Sequence, residues 1–306
     1  MLRKRIGIIF AIFLILSINN GAYASTVDAT TENSMNQDAT ARVVHVEESV
    51  LHLGKSDIQK TEKFNQGLVA TLKNLDYSPA LNTDGTWKSN EGISNEIENY
   101  CKNHYDVLSG AIFDRAMEKS TNHNIQVDLD ENSEAYRKNT ETYAVNSNVS
   151  ITITPDEIYL DETVAELPRD KLLASKTSWK YKTVATRRTL FKKASIEGET
   201  YTFKIYSVHT GGEVKYNGTT AKHSAGYYAY SLQETYGSPF VFKKIAKQSE
   251  QISGTSWHYK YLGKVTGSVS ITSPIKIKMT YKEKVLGCQV IVSKTGKVTK
   301  KYWPAL

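Results

Sequence analysis

Seven histidines and two cysteines are the side chains in this 306-residue chain best suited to catalysis or metal binding. His45, His52, His104, His123, His209, His223 and His258 are scattered, with none of the short regular spacings that converge on a metal. His209 and His223 flank Asn217-Gly218, a hairpin signal, so they could face each other across paired strands. A wall hydrolase or nuclease lacking a familiar motif would need the fold to bring dispersed residues such as His209, His223 and Glu234 into one cleft. There is no glycine-rich phosphate loop, His-Glu-x-x-His, Cys-x-x-Cys or Gly-x-Ser-x-Gly, so no cofactor, no metal and no familiar hydrolase is expected. Asp128, Asp130, Glu131 and Glu134 lack the turn glycine and ligand spacing of a calcium loop. They read as a solvated stretch, as do Asp156, Glu157, Asp161 and Glu162.

Cys101 falls on the apolar face of a predicted helix, where a thiolate is disfavoured, which argues against a nucleophile. Cys101 and Cys288 could instead close one disulfide between the two halves of the chain, worth roughly 4 to 5 kcal/mol for so long a loop. Two separate buried thiols fit the sequence equally well, because spacing alone does not supply the Cα separation.

Aromatic residues interleaved with lysines offer a different chemistry. Trp179-Lys180-Tyr181-Lys182 returns, in a five-of-six match that begins at Thr177 and Thr255, as Trp257-His258-Tyr259-Lys260, followed by Tyr261. Rings of this kind can stack on sugars or bases while ammonium groups meet phosphates or carboxylates. Lys276, Lys278 and Lys282 alternate with Ile275, Ile277, Met279 and Tyr281, giving a strand with one apolar and one basic face.

The elements that must position these residues begin with a leader. Arg3, Lys4 and Arg5 precede an apolar run from Ile6 to Ile18, followed by Ala22-Tyr23-Ala24. This is the pattern of a signal peptide over 1–24, cut between Ala24 and Ser25, and it implies a secreted, extracellular or cell-wall-associated protein of bacterial style. Residues 25–42 have little to bury and read as a disordered leader.

Residues 43–140 read as a helical region. Ile58, Phe64, Leu68, Val69 and Leu72 share one helical face, with Ser56 placed to cap it. A second helical pattern runs through Ile93, Ile97, Cys101, His104 or Tyr105, Leu108, Ile112 and Met117, which places His104 on or beside a buried face. Ser120 to Asn139 is polar and acidic and reads as an excursion.

Residues 141–306 change to a period of two at Val149-Ile151-Ile153 and Tyr201-Phe203-Ile205. Turn signals stand at Gly211-Gly212, Asn217-Gly218, Gly237-Ser238-Pro239 and Thr295-Gly296. The predicted class is α+β: a small helical amino-terminal region followed by an antiparallel β-sandwich or barrel-like domain.

Charge is divided along the chain. Residues 25–150 hold 20 acids against 11 Lys and Arg, whereas from Lys171 onward there are 24 Lys and Arg against six acids, a net +18. Self-repulsion of that size calls for an anionic partner. It is either the acidic half of the same chain or an external polymer such as teichoic acid, acidic polysaccharide, DNA or an anionic lipid surface. The leading expectation is a non-enzymatic protein that adheres to such polymers. A second is an antibacterial or membrane-active toxin, masked by its acidic half until cleavage near Arg169 or Lys171.

Overall fold

The computed structural model describes residues 43–119, 124–166, 178–233, 241–271 and 277–306. The signal peptide and leader, the Arg169–Lys171 site, Glu234, the Gly237-Ser238-Pro239 turn and Lys276 all lie outside the described residues. Residues 41–306 form one compact unit, so the change of pattern near 140 separates kinds of element within a single body.

In chain order the elements are β1 (Val43–His45), a 3-10 turn (Glu48–Leu51), α1 (Lys55–Lys73), α2 (Glu91–Asn103), α3 (Val107–Glu118), β2 (Asn124–Asp128) and α4 (Glu134–Lys138). They continue as β3 (Glu141–Ala144), β4 (Val149–Ile153), β5 (Glu157–Glu166), β6 (Lys180–Ile196), β7 (Glu199–Tyr216), β8 (Ala221–Gln233), β9 (Val241–Ile252), β10 (Ser256–Ile271), β11 (Ile277–Val292) and β12 (Val298–Trp303). The α+β class and the antiparallel sandwich expected from the sequence are what forms. The first sheet is a plain meander, β3 to β8 in sequence order. The second runs β1-β2-β11-β10-β9, with β12 also on β11.

Three layers result. Helices α1 and α2 cover one face of the first sheet in a core that includes Leu68, Leu72, Ile93, Ile97, Ile151, Leu160 and Phe191. The other face packs on the second sheet through Tyr159, Leu190, Val208, Tyr261, Leu286 and Cys288, with α3 closing the same core through Leu108, Ile112 and Phe113. Central strands β5 and β6 are therefore buried on both faces over most of their length, which is why they lack an apolar–polar alternation.

Several local expectations are corrected. The capping position of α1 is Gly54 rather than Ser56, and Ile58 is 43% exposed, off the buried stripe. The single helix predicted through Ile93 to Met117 is two. The chain breaks after Asn103 because the Asp106 carboxylate accepts hydrogen bonds from Leu108 N and Ser109 N and starts α3. That break leaves His104 exposed at the end of α2, its ring 4.0 Å from the Tyr100 ring and its Nδ1 2.8 Å from Tyr100 O.

The polar excursion from Ser120 contributes β2, which pairs in parallel with β1 and β11. Its last part is anchored by Tyr136, fully buried with its hydroxyl on Asp156 at 3.0 Å. Gly211-Gly212 is not a turn. It sits mid-strand in β7, where a Cβ on Gly212 would overlap Gly226 O and the Tyr259 ring. Asn217-Gly218 and Thr295-Gly296 do turn the chain, with φ of +89° at Gly218 and +81° at Gly296.

Candidate functional site

Many of the charges counted in the sequence never reach solvent. Arg187 on β6 donates to Glu162 on the paired strand β5, from Nε at 2.6 Å and Nη2 at 2.5 Å, while Glu162 also receives the Tyr77 hydroxyl and the Asn90 amide. Arg188, one residue on and pointing to the opposite face, bonds Asp161 at 2.8 and 3.2 Å and lies between the rings of Tyr159 and Tyr302. Lys193 pairs with Asp106, each 1% exposed. Lys192 pairs with Asp156, and Lys284 with Glu157 and Glu131.

The acidic run 156–162 is thus interior, a correction of its reading as a solvated stretch, and Glu131 is drawn in with it. The register that sets β5 beside β6 places Glu162 opposite Arg187 and Asp161 opposite Arg188, so acid and base meet on each face. Burial works to raise the Asp156 carboxyl, but Lys192 and Lys284 outweigh it and hold it well below the usual range. Burial likewise works to lower the Lys284 ammonium, and Glu157, Glu131 and Asp156 outweigh it and hold it above its ordinary value.

Five of the 24 cations from Lys171 onward are neutralised in this way, all by acids that precede that position. The other 19 against six acids leave that segment with a formal +13.

The predicted aromatic–basic residues do not share one surface. Trp179, Lys180, Tyr181 and Lys182 lie at the start of β6 and just before it. The Lys215 ammonium stands 5.3 Å from the Trp179 ring, and Lys182 donates to Gly296 O at 2.9 Å. Tyr259 and Tyr261 are core residues, 0% and 8% exposed. Strand alternation turns both toward the first sheet, and the Tyr259 hydroxyl lies 2.8 Å from Glu213 O and from His223 Nδ1. Trp257, partly buried, packs on that same cluster with its Nε1 3.3 Å from Ser249 Oγ. Burial therefore removes the two tyrosines from the expected ligand platform, while Trp257 stays partly exposed. Lys278 and Lys282 lie on β11.

Lys260 alternates to the opposite face, and there a different set appears. Register places Lys260, Lys264, Lys243, Lys301 and Trp303 on the side of the second sheet that points away from the first. Helix α3 meets the second sheet on its other side, where Leu108, Ile112 and Phe113 share the core with Tyr261, Val265, Leu286 and Cys288. The Lys260 ammonium stands 5.0 Å from the centre of the Trp303 ring. Lys264 is paired with Glu283. The edge strand β9 also carries exposed Lys244 and Lys247, which register with Gly263 and Tyr261 turns to the opposite side, the Lys247 ammonium standing 5.5 Å from the centre of the Tyr227 ring. The sequence signal for β9 is the Lys243-Lys244 pair followed by Lys247, directly after Phe242.

The acid–base alternative loses its geometry. His209 is 1% exposed, stacked 4.3 Å from the Tyr230 ring and bonded through Nε2 to Ser207 at 2.7 Å, and burial holds its imidazole well below the ordinary value. His209 pairs with Tyr230 and His223 with Val214, so the two histidines do not face each other. Among the described residues, no group of three or more His, Cys, Asp or Glu side chains is placed to hold a metal ion, and no helix is long and apolar enough to cross a membrane.

Cys101 and Cys288 are free thiols. Cys101 belongs to the core under α1 and α2, and Cys288 to the core between the sheets, its Sγ 3.4 Å from Val208 O. The first sheet separates them, which corrects the disulfide alternative. No protein-family model, curated protein or solved structure matches this chain.

Proposed function

We propose that this is an exported, non-enzymatic protein that adheres to anionic polymers of the cell envelope or matrix, through the outward side of the second sheet and its edge strand β9. The observation that carries the reading is the division of the cations into two populations. Five are consumed by buried carboxylates, while Lys243 and Lys301 stand exposed on the outward side of the second sheet with Lys260 over Trp303, and Lys244 and Lys247 stand exposed on the other side of β9. Ammonium groups in this setting attract a polyanion over a Debye length, and an adjacent ring adds short-range contact.

The masked-toxin alternative draws less support from the architecture. A fragment beginning near Lys171 would lack β5, which pairs with β6 over ten residues, and every acid that neutralises Arg187, Arg188, Lys192, Lys193 and Lys284.

The test passes the purified protein over teichoic-acid-bearing cell walls across a salt series. Retention at low salt that falls steeply as salt rises is expected. The triple variant Lys243→Gln, Lys260→Gln, Lys301→Gln should lower the slope of log affinity against log salt by roughly one per lysine removed. Absence of retention at low salt, or an unchanged slope in the variant, overturns the reading.

A further inference from the structure

Between α1 and the junction of α2 with α3 lies an open groove of about 970 Å³ that none of the basic strands lines. Its floor is aromatic. Tyr100 is held there by its hydroxyl, which donates to Phe64 O at 3.1 Å, and by Gly67, where any Cβ would overlap that hydroxyl. Glycine at this position in mid-helix costs helix stability, and what it provides is room for the Tyr100 ring. The exposed His104 ring stacks on Tyr100 at an interplanar angle of 13°, and Tyr105 beside it is 37% exposed.

The walls carry amides together with Lys60, Lys63 and Glu96. Gln66, Asn99 and Lys63 are exposed on the two helices, and among the described residues their side chains make no hydrogen bond. Lys60, by contrast, is taken up by Asp57 at 2.9 Å.

The exposed rings of His104, backed by the buried Tyr100, and of Tyr105, with amides projecting beside them, match the two surfaces of a pyranose. The rings fit its apolar C–H face and the amides fit its rim of hydroxyls. We propose that this groove binds a glycan strand of pyranose units, with Tyr105 and the Tyr100–His104 pair as stacking platform and Gln66 and Asn99 as hydroxyl partners. The site is separate from the lysine-bearing side of the second sheet and does not depend on the adhesion reading. An exported protein carrying both would hold a sugar backbone in the groove and anionic groups on the sheet.

The test is calorimetric titration of the full chain with two neutral probes, the β-1,4-linked hexamers of glucose and of N-acetylglucosamine. Binding of at least one hexamer at millimolar concentration or below is expected, on the order of tenfold weaker in Tyr105→Ala and again in Asn99→Ala. Lys301→Gln should bind as the parent does, and about 0.5 M NaCl should leave the affinity unchanged because the probes carry no charge. Asn99 is exposed and touches no core, so its variant keeps the test decisive if Tyr105→Ala fails to fold. No binding of either hexamer, full binding by both variants, or loss of binding in salt overturns the proposal. Each of these outcomes is distinct from a failure of wall retention at low salt.

Discussion

At the scale of single residues the molecule is organised by charges it has hidden. Lys193 and Asp106 are each 1% exposed, and Asp106 also caps α3, so removing the ammonium strands a carboxylate that has no solvent. Lys193→Ala should cost about 3–5 kcal/mol in urea unfolding. Lys60→Ala, which breaks the exposed pair with Asp57, should change little.

His209 gives a second check. Its pKa in the folded protein lies well below 6.5, because of burial first and then Arg187 and Lys204, whereas the unfolded chain titrates near 6.5. Below that pH the unfolded state binds more protons, so stability present above about pH 6.5 is lost as pH falls, by at most roughly 1.4 kcal/mol per unit from this group. His209→Gln should flatten the slope between about pH 7 and 5 in denaturant titrations. Part of the slope should remain through His258, which burial also holds low.

At the scale of elements, β7 shows how far local signals carry. Gly211-Gly212 has the composition of a turn, yet β7 runs unbroken from Glu199 to Tyr216 and pairs on both edges, with β6 and β8. The glycines are there because β7 lies beneath Tyr228 on one side and Tyr259 on the other. Gly212→Ala should destabilise by roughly 1–3 kcal/mol through overpacking, read by thermal or urea unfolding. The break between α2 and α3 is a similar case. Apolar spacing alone continues across it, and Asp106, whose partner Lys193 lies 87 residues on, decides where the second helix starts.

For the molecule as a whole, cores shared between helices and sheets make 41–306 one compact unit. The thiols report on that body. Burial pushes the Cys101 thiol up to about 11 and raises Cys288 further, so neither should react with an aromatic disulfide reagent at neutral pH in the native state. Both should react in denaturant without reductant, giving two thiols per chain. A value of zero there would establish the disulfide that the structure does not contain.

What the sequence determined by itself is the set of elements with clean periodicity: the α1 stripe at Phe64, Leu68, Val69 and Leu72, the β4 alternation at Val149, Ile151 and Ile153, the two glycine turns and the α+β class. Those follow from local geometry, a period of 3.6 or 2 and a positive φ. Tertiary structure decided which face each charge and ring would take. Lys260 and Tyr259 are neighbours in the chain, one over an outward-facing tryptophan and one in the core, because strand alternation separates them and only the packing of two sheets says which side is inside. The same packing turned 156–162 from an acidic stretch into the counterions of Arg187, Arg188, Lys192 and Lys284, since a charge is buried only where another element brings its partner to it.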